Sequence, residues 1–149
     1  MFGKTIKWIL IGAIAILLVL AAIYIGVYIS SEGLYAYNVI PCPSLRWVFP
    51  VHEYDTETGK EWNYLKIYDL SAKNKEALLA FAVENSWNAL PFTEEQMNDP
   101  LLGDYPDEQL AAMKETQNGF WFSTQYHGRC LCVLDTDNAK LYIRGASIY

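Results

Sequence analysis

The chain has 149 residues, with 11 lysines and arginines against 17 acidic residues and a formal net charge of −6. Two of the bases, Lys4 and Lys7, precede a long apolar run, so the rest sets 9 bases against 17 acids and carries about −8. That balance repels phosphate backbones and excludes nucleic acid as a partner. About 120 residues follow the run, enough for one domain with a modest core.

The run is "WILIGAIAILLVLAAIYIGVYI", residues 8 to 29. With Ile6 included, a helix of about 22 to 24 residues rises roughly 33 to 36 Å, which matches a hydrocarbon core of about 30 Å with some tilt. Trp8 marks one end, and Tyr24 and Tyr28 the other, where amphipathic rings favour the headgroup level. Lys4 and Lys7 place the N-terminus in the cytoplasm and the C-terminal domain outside the cell membrane. The rival is a cleaved signal peptide, with small residues in "VLA" (19–21). However, the nine residues that follow, "AIYIGVYIS", are too apolar for a cleavage region. Ala22 and Gly26 are spaced to let two such helices approach. Residues 1–29 are therefore read as a cytoplasmic stub and anchor, with the lipid bilayer as partner through residues 6–29.

Residues 30–44, "SSEGLYAYNVIPCPS", read as a tether, because Gly33, Pro41 and Pro43 oppose a continuing helix. Residues 45–149 read as an extracytoplasmic α+β domain. Two aromatic and β-branched runs, about 45–54 and 61–69, flank a turn at Gly59 and form a hairpin. Pro50 then belongs at an edge or a bulge. Ser71 or Asn74 starts a helix that runs through "KNKEALLAFAVENSWNAL" to Pro91. Leu78, Phe81, Ala82 and Trp87 share one side of it, with Lys75, Glu76 and Glu84 facing water. "TEEQ" (93–96) is a capping box. Another helix follows in "DYPDEQLAAMKETQNG", with Pro106 in its first turn and Asn118-Gly119 as its stop.

The last three strands, "FWFSTQY", "RCLCVLD" and "KLYIRG", form an antiparallel meander. With His127-Gly128 as a two-residue turn, Tyr126 faces Arg129 and Trp121 faces Leu134. With Asp135 opposite Lys140, Leu134 faces Leu141 and Cys132 faces Ile143. One face then carries Trp121, Cys130, Cys132, Leu134, Leu141 and Ile143, and it packs against the helices in a two-layer domain.

"WNALPF" (87–92) and "CLCVLDTDNAKLYI" (130–143) resemble segments of small membrane-anchored or lipoprotein-like extracytoplasmic domains of Gram-positive bacteria. In these, a W-x-x-LP helix end precedes an aromatic strand and a hairpin. The resemblance implies no activity and transfers no functional residue.

Candidate chemistry is sparse. Cys42 could bridge to Cys130 or Cys132, but burial as small hydrophobes is the stronger reading of these cysteines. His52 and His127 match no zinc spacing. Cys130 beside His127 invites a thiol enzyme, yet the meander buries one and leaves the other in a turn. Glu94-Glu95 and Asp107-Glu108 sit at helix starts, where carboxylates favour the dipole. "DTDN" lacks the remaining ligands of a calcium loop. No catalytic, cofactor or metal residue is assigned. The expected role is a binding or interaction module for a protein or envelope partner, and the alternative is an envelope hydrolase or thiol-based enzyme.

Overall fold

A computed structural model describes residues 2–58, 61–103 and 108–148. It shows an α+β fold in the order α1 (Phe2–Val39), β1 (His52–Thr58), β2 (Glu61–Asp69), α2 (Ala72–Glu84), β3 (Asn88–Ala89), α3 (Glu108–Lys114), β4 (Gly119–Gln125), β5 (Arg129–Asp135) and β6 (Lys140–Ile148). The predicted turn at Gly59 and the helix start at Pro106 and Asp107 lie outside the described residues.

α1 is long and apolar enough to cross a membrane, and Thr5 to Ser31 are exposed. The helix does not stop at residue 29. It continues to Val39, so the segment read as a tether is helical over its first ten residues. Glycine inside a helix costs only about 1 kcal/mol, and tertiary packing outweighs it here: Gly33 itself is buried, and Ala36, Val39 and Ile40 join the core. Pro41 ends the helix, since a residue before proline is pushed from the helical region. The remainder of the segment is also packed, through a 3-10 turn at Pro43–Leu45 that buries Leu45.

The six strands form one antiparallel sheet in the order β1-β2-β6-β5-β4-β3. The first hairpin joins the meander through β2 and β6, which pair from Glu61↔Ile148 to Asp69↔Lys140. One face carries Tyr64, Tyr68, Cys130, Cys132, Leu134, Leu141 and Ile143. It packs against the C-terminal end of α1, the turn at 43–45, and Leu78 and Ala82 of α2. The other face, with Leu65, Ile67, Leu131, Val133 and Tyr142, is covered by a smaller layer of Leu101, Leu102, Leu110 and Met113.

Several local signals act as expected. The Ser71 side chain caps α2 by accepting from the Asn74 amide. The Thr93 amide donates to Gln96 Oε1 while the Gln96 amide donates to Thr93 Oγ1, a reciprocal capping box. However, α2 ends at Glu84 rather than Pro91. Ser86 takes a left-handed φ of 55° and the Trp87 amide reaches back to the Ala82 carbonyl at 3.0 Å. This reversal usually uses glycine, and its absence hid the end. Trp87 leads instead into β3, so the "WNALPF" segment is not a helix end.

The β5–β6 register is as predicted, with Leu134 opposite Leu141 and Cys132 opposite Ile143. The β4–β5 register is shifted by one residue. Gln125 pairs with Arg129, leaving a three-residue loop, and Trp121 faces Val133. His127 and Gly128 both adopt positive φ, and a Cβ at Gly128 would lie 2.2 Å from the Ala146 carbonyl oxygen. The slip moves Trp121 to the opposite face, 5.5 Å from Phe92 between ring centroids. Phe120 and Phe122 take its place beside the cysteines, Phe122 stacking on Trp87 at 4.2 Å.

Candidate functional site

A cleft of about 400 Å³ opens between α1 and the β1–β2 edge of the sheet. Strand alternation builds it: Glu53 pairs with Lys66 and Asp55 with Tyr64, so these four side chains share one sheet face. Residues 28 to 35 of α1 cross above them and contribute Tyr28, Glu32 and Tyr35, while Trp62 closes the strand side.

Lys66 holds the floor. Its ammonium donates to Glu32 Oε2 at 2.7 Å and Glu53 Oε1 at 2.8 Å, and sits 4.7 Å from the Tyr35 ring centroid. Burial alone would lower its pKa, but the two carboxylates outweigh burial and hold it above the ordinary lysine value. Burial likewise raises Glu53, and the bond to Lys66 reverses this, leaving its carboxyl below the ordinary range. With Asp55, three carboxylates face one ammonium.

The inner wall is aromatic. Tyr35 meets Tyr64 and Tyr126 edge-on, and Trp62 lies 4.8 Å from Tyr64. Tyr64 reaches across β6 so that its hydroxyl lies 2.9 Å from Cys130 Sγ. Burial pushes the Tyr64 phenol far up, so it stays neutral at physiological pH.

The cysteines are all free and buried. No bridge ties Cys42 to the meander, and Cys42 is not on a loose tether: it is 3% exposed, with Ser44 Oγ at 3.2 Å. Cys130 spends its contacts on Tyr64 and the Tyr126 carbonyl, not on His127, whose ring packs against Tyr126. Burial raises the Cys130 thiol, and raises Cys132 well above the ordinary value. Native-state alkylation followed by mass spectrometry should therefore be slow at all three positions and fast after unfolding. Rapid native labelling of Cys130 or Cys132 would show that the meander face is open.

The other described sequence candidates do not line the cleft. Among the described residues no three His, Cys, Asp or Glu side chains are placed to hold a metal. Glu94 and Glu95 are exposed beside the 3-10 turn at Gln96–Asn98, Glu108 lies in the first turn of α3, and Asp107 is outside the described residues. In "DTDN", Asp135 is buried and binds the turn itself, accepting from the Asp137 and Asn138 amides and from Asn138 Nδ2.

The sequence reading missed the Glu32–Lys66–Glu53 cluster. A signal was present: in "EWNYLKIYD", Lys66 alternates with Trp62, Tyr64 and Tyr68, so it had to face inward with them. Its partner Glu32 was hidden in the segment read as a tether. No protein-family model, curated protein or solved structure matches the chain.

Proposed function

We propose that the chain is a single-pass cell-membrane protein whose extracytoplasmic domain is a binding module, with the α1–β1–β2 cleft as its binding site for a cationic group on a protein or other envelope partner. The observation that carries this reading is the cleft itself: aromatic walls and an excess of carboxylates over ammonium. Aromatic faces attract cations, and the acidic rim adds to that attraction. Lys4 and Lys7 ahead of the span support a cytoplasmic N-terminus. The anchor is favoured over cleavage near Ala21, which would leave Ile23, Tyr24, Ile25, Val27 and Ile29 exposed to water. A thiol-based reaction fits poorly, since both meander thiols are buried and protonated.

One experiment tests both orientation and binding. A membrane-impermeant peptide with a single lysine beside a photoreactive group is added to intact cells, and crosslinks are mapped. We expect crosslinks near Tyr28 and Trp62, none with the Nε-acetylated peptide, and roughly five-fold fewer in Asp55→Asn, as for one exposed charge pair of about 1 kcal/mol. Labelling only after lysis would invert the orientation. No cleft labelling in either case, or equal labelling by the acetylated peptide, would overturn the binding reading.

A further inference from the structure

We propose that the segment Arg46–Val51 is a second membrane contact, with Trp47, Phe49 and Val51 seated in the headgroup layer of the bilayer that α1 crosses. This rests on the reading of α1 as a span. Outside α1, the exposed large hydrophobics among the described residues are Trp47 (56%), Phe49 (44%), Val51 (58%), Val83 and Met97. Val83 and Met97 stand alone, as scattered surface hydrophobics do, but the first three fall within five residues of one another.

Their height along α1 points to the occupant. The Trp47 amide donates to the Gly33 carbonyl. A Cβ on Gly33 would lie 2.6 Å from the Trp47 ring and 3.0 Å from that of Phe49, so both rings lie against the helix at that level. Gly33 is four residues beyond Ile29, about 6 Å further along the axis at 1.5 Å per residue. Each headgroup layer is roughly 5 to 8 Å thick, the difference between a bilayer of about 40–45 Å and its core of about 30 Å, halved. With Ile29 at the edge of the hydrocarbon, the two rings fall within that layer.

Chemistry and conformation agree with this placement. Tryptophan favours the headgroup level, and Tyr28 of α1 lies at its inner boundary. "RWVFPV" has no acidic residue, in an outer part that carries about −8. Trp47 holds a left-handed φ of 63°, rare for a bulky side chain. In this conformation the ring lies against α1 at Gly33. Arg46 bonds upward to the Tyr37 hydroxyl at 2.9 Å and stacks on its ring, which fixes the start of the segment. Together with the span, the contact would fix the tilt of the domain and hold the cleft, through Tyr28 and Glu32, at the bilayer surface.

The test uses the full chain in phosphatidylcholine vesicles containing lipids spin-labelled at the headgroup or deep in the acyl chain. Trp47 and Trp8 are reported by the difference between wild type and Trp47→Phe or Trp8→Phe. We expect a blue-shifted Trp47 component that the headgroup label quenches more than the deep one, and loss of that component in Trp47→Phe. A Trp47 component that is red-shifted and unquenched, while Trp8 is quenched, overturns the docking and leaves the anchor standing. If neither is quenched, the span reading falls with it. A blue-shifted but unquenched Trp47 that crosslinks between chains assigns the patch to a second copy and also overturns the proposal.

Discussion

Gly145→Val should unfold the α+β domain or cost it roughly 3 kcal/mol or more, the upper range for a side chain forced into a packed core. Three strands meet at this residue: Gly145 pairs with Tyr64 of β2 on one side and Cys130 of β5 on the other. The Tyr64 ring crosses the glycine to reach the Cys130 sulfur. A Cβ at 145 would lie 2.1 Å from Tyr64 Cζ and 2.3 Å from its hydroxyl oxygen, well inside contact distance. The ring has nowhere to retreat, since Tyr35 meets it edge-on and Trp62 lies along its face. Its displacement would also strand the buried hydroxyl. Denaturant unfolding of the full chain in detergent, followed by tryptophan fluorescence, gives the loss. Tyr64→Leu should cost stability alone yet relieve the clash, so Gly145→Val added to it should cost much less than in the wild type. Wild-type stability of Gly145→Val would show that Tyr64 does not lie across the strand.

What was legible in the sequence was local. Ser71, the Thr93–Gln96 box and the Asp135-to-Lys140 turn each carry their own chemistry within a few residues, and each forms as read. Alternation then placed Cys130, Cys132, Leu134, Leu141 and Ile143 on one buried face. The failures share a cause, in that tertiary contacts overrode a weak local signal. Gly33 reads as a helix breaker until Trp47 packs onto it. Ser86 adopts a glycine-like conformation with nothing in its identity to announce it. At Tyr126–Gly128, two loop lengths fit the residues equally, and choosing the shorter sent Trp121 to the wrong face. The pairing of β2 with β6 joins residues about 80 positions apart, a separation that periodicity cannot reach. The cleft depended on both kinds of information: strand alternation for Lys66, and continuation of α1 for Glu32.

Lys66→Met should destabilise the domain by roughly 2 to 3 kcal/mol at neutral pH and make part of that loss recoverable on mild acidification. Removing one member of a buried ion cluster leaves its partners desolvated and unpaired, at a cost of about 3–5 kcal/mol. Glu53 is 46% exposed, which reduces the figure here. In the wild type, Glu53 titrates lower when folded than when unfolded. Its share of stability is therefore present above its unfolded value, about 4.3, and is lost as pH falls through the lower folded one. Lys66 titrates higher when folded. Its share is full below about pH 10.4 and is lost as pH rises through the higher folded value. Between these limits the bridge ties α1, through Glu32, to β1 and β2. Without the ammonium, Glu32 and Glu53 oxygens that had shared one nitrogen face each other. The folded state then favours a proton on one of them, so stability relative to the wild type should rise as pH falls from 7 toward about 5, a window in which Lys66 and Glu53 add no pH dependence to the wild type. Glu32→Gln in the Lys66→Met background should recover part of the loss and flatten the profile. Unfolding curves at pH 5 and pH 7 decide the matter: a variant whose stability tracks the wild type at both would mean that the cluster does not couple α1 to the sheet.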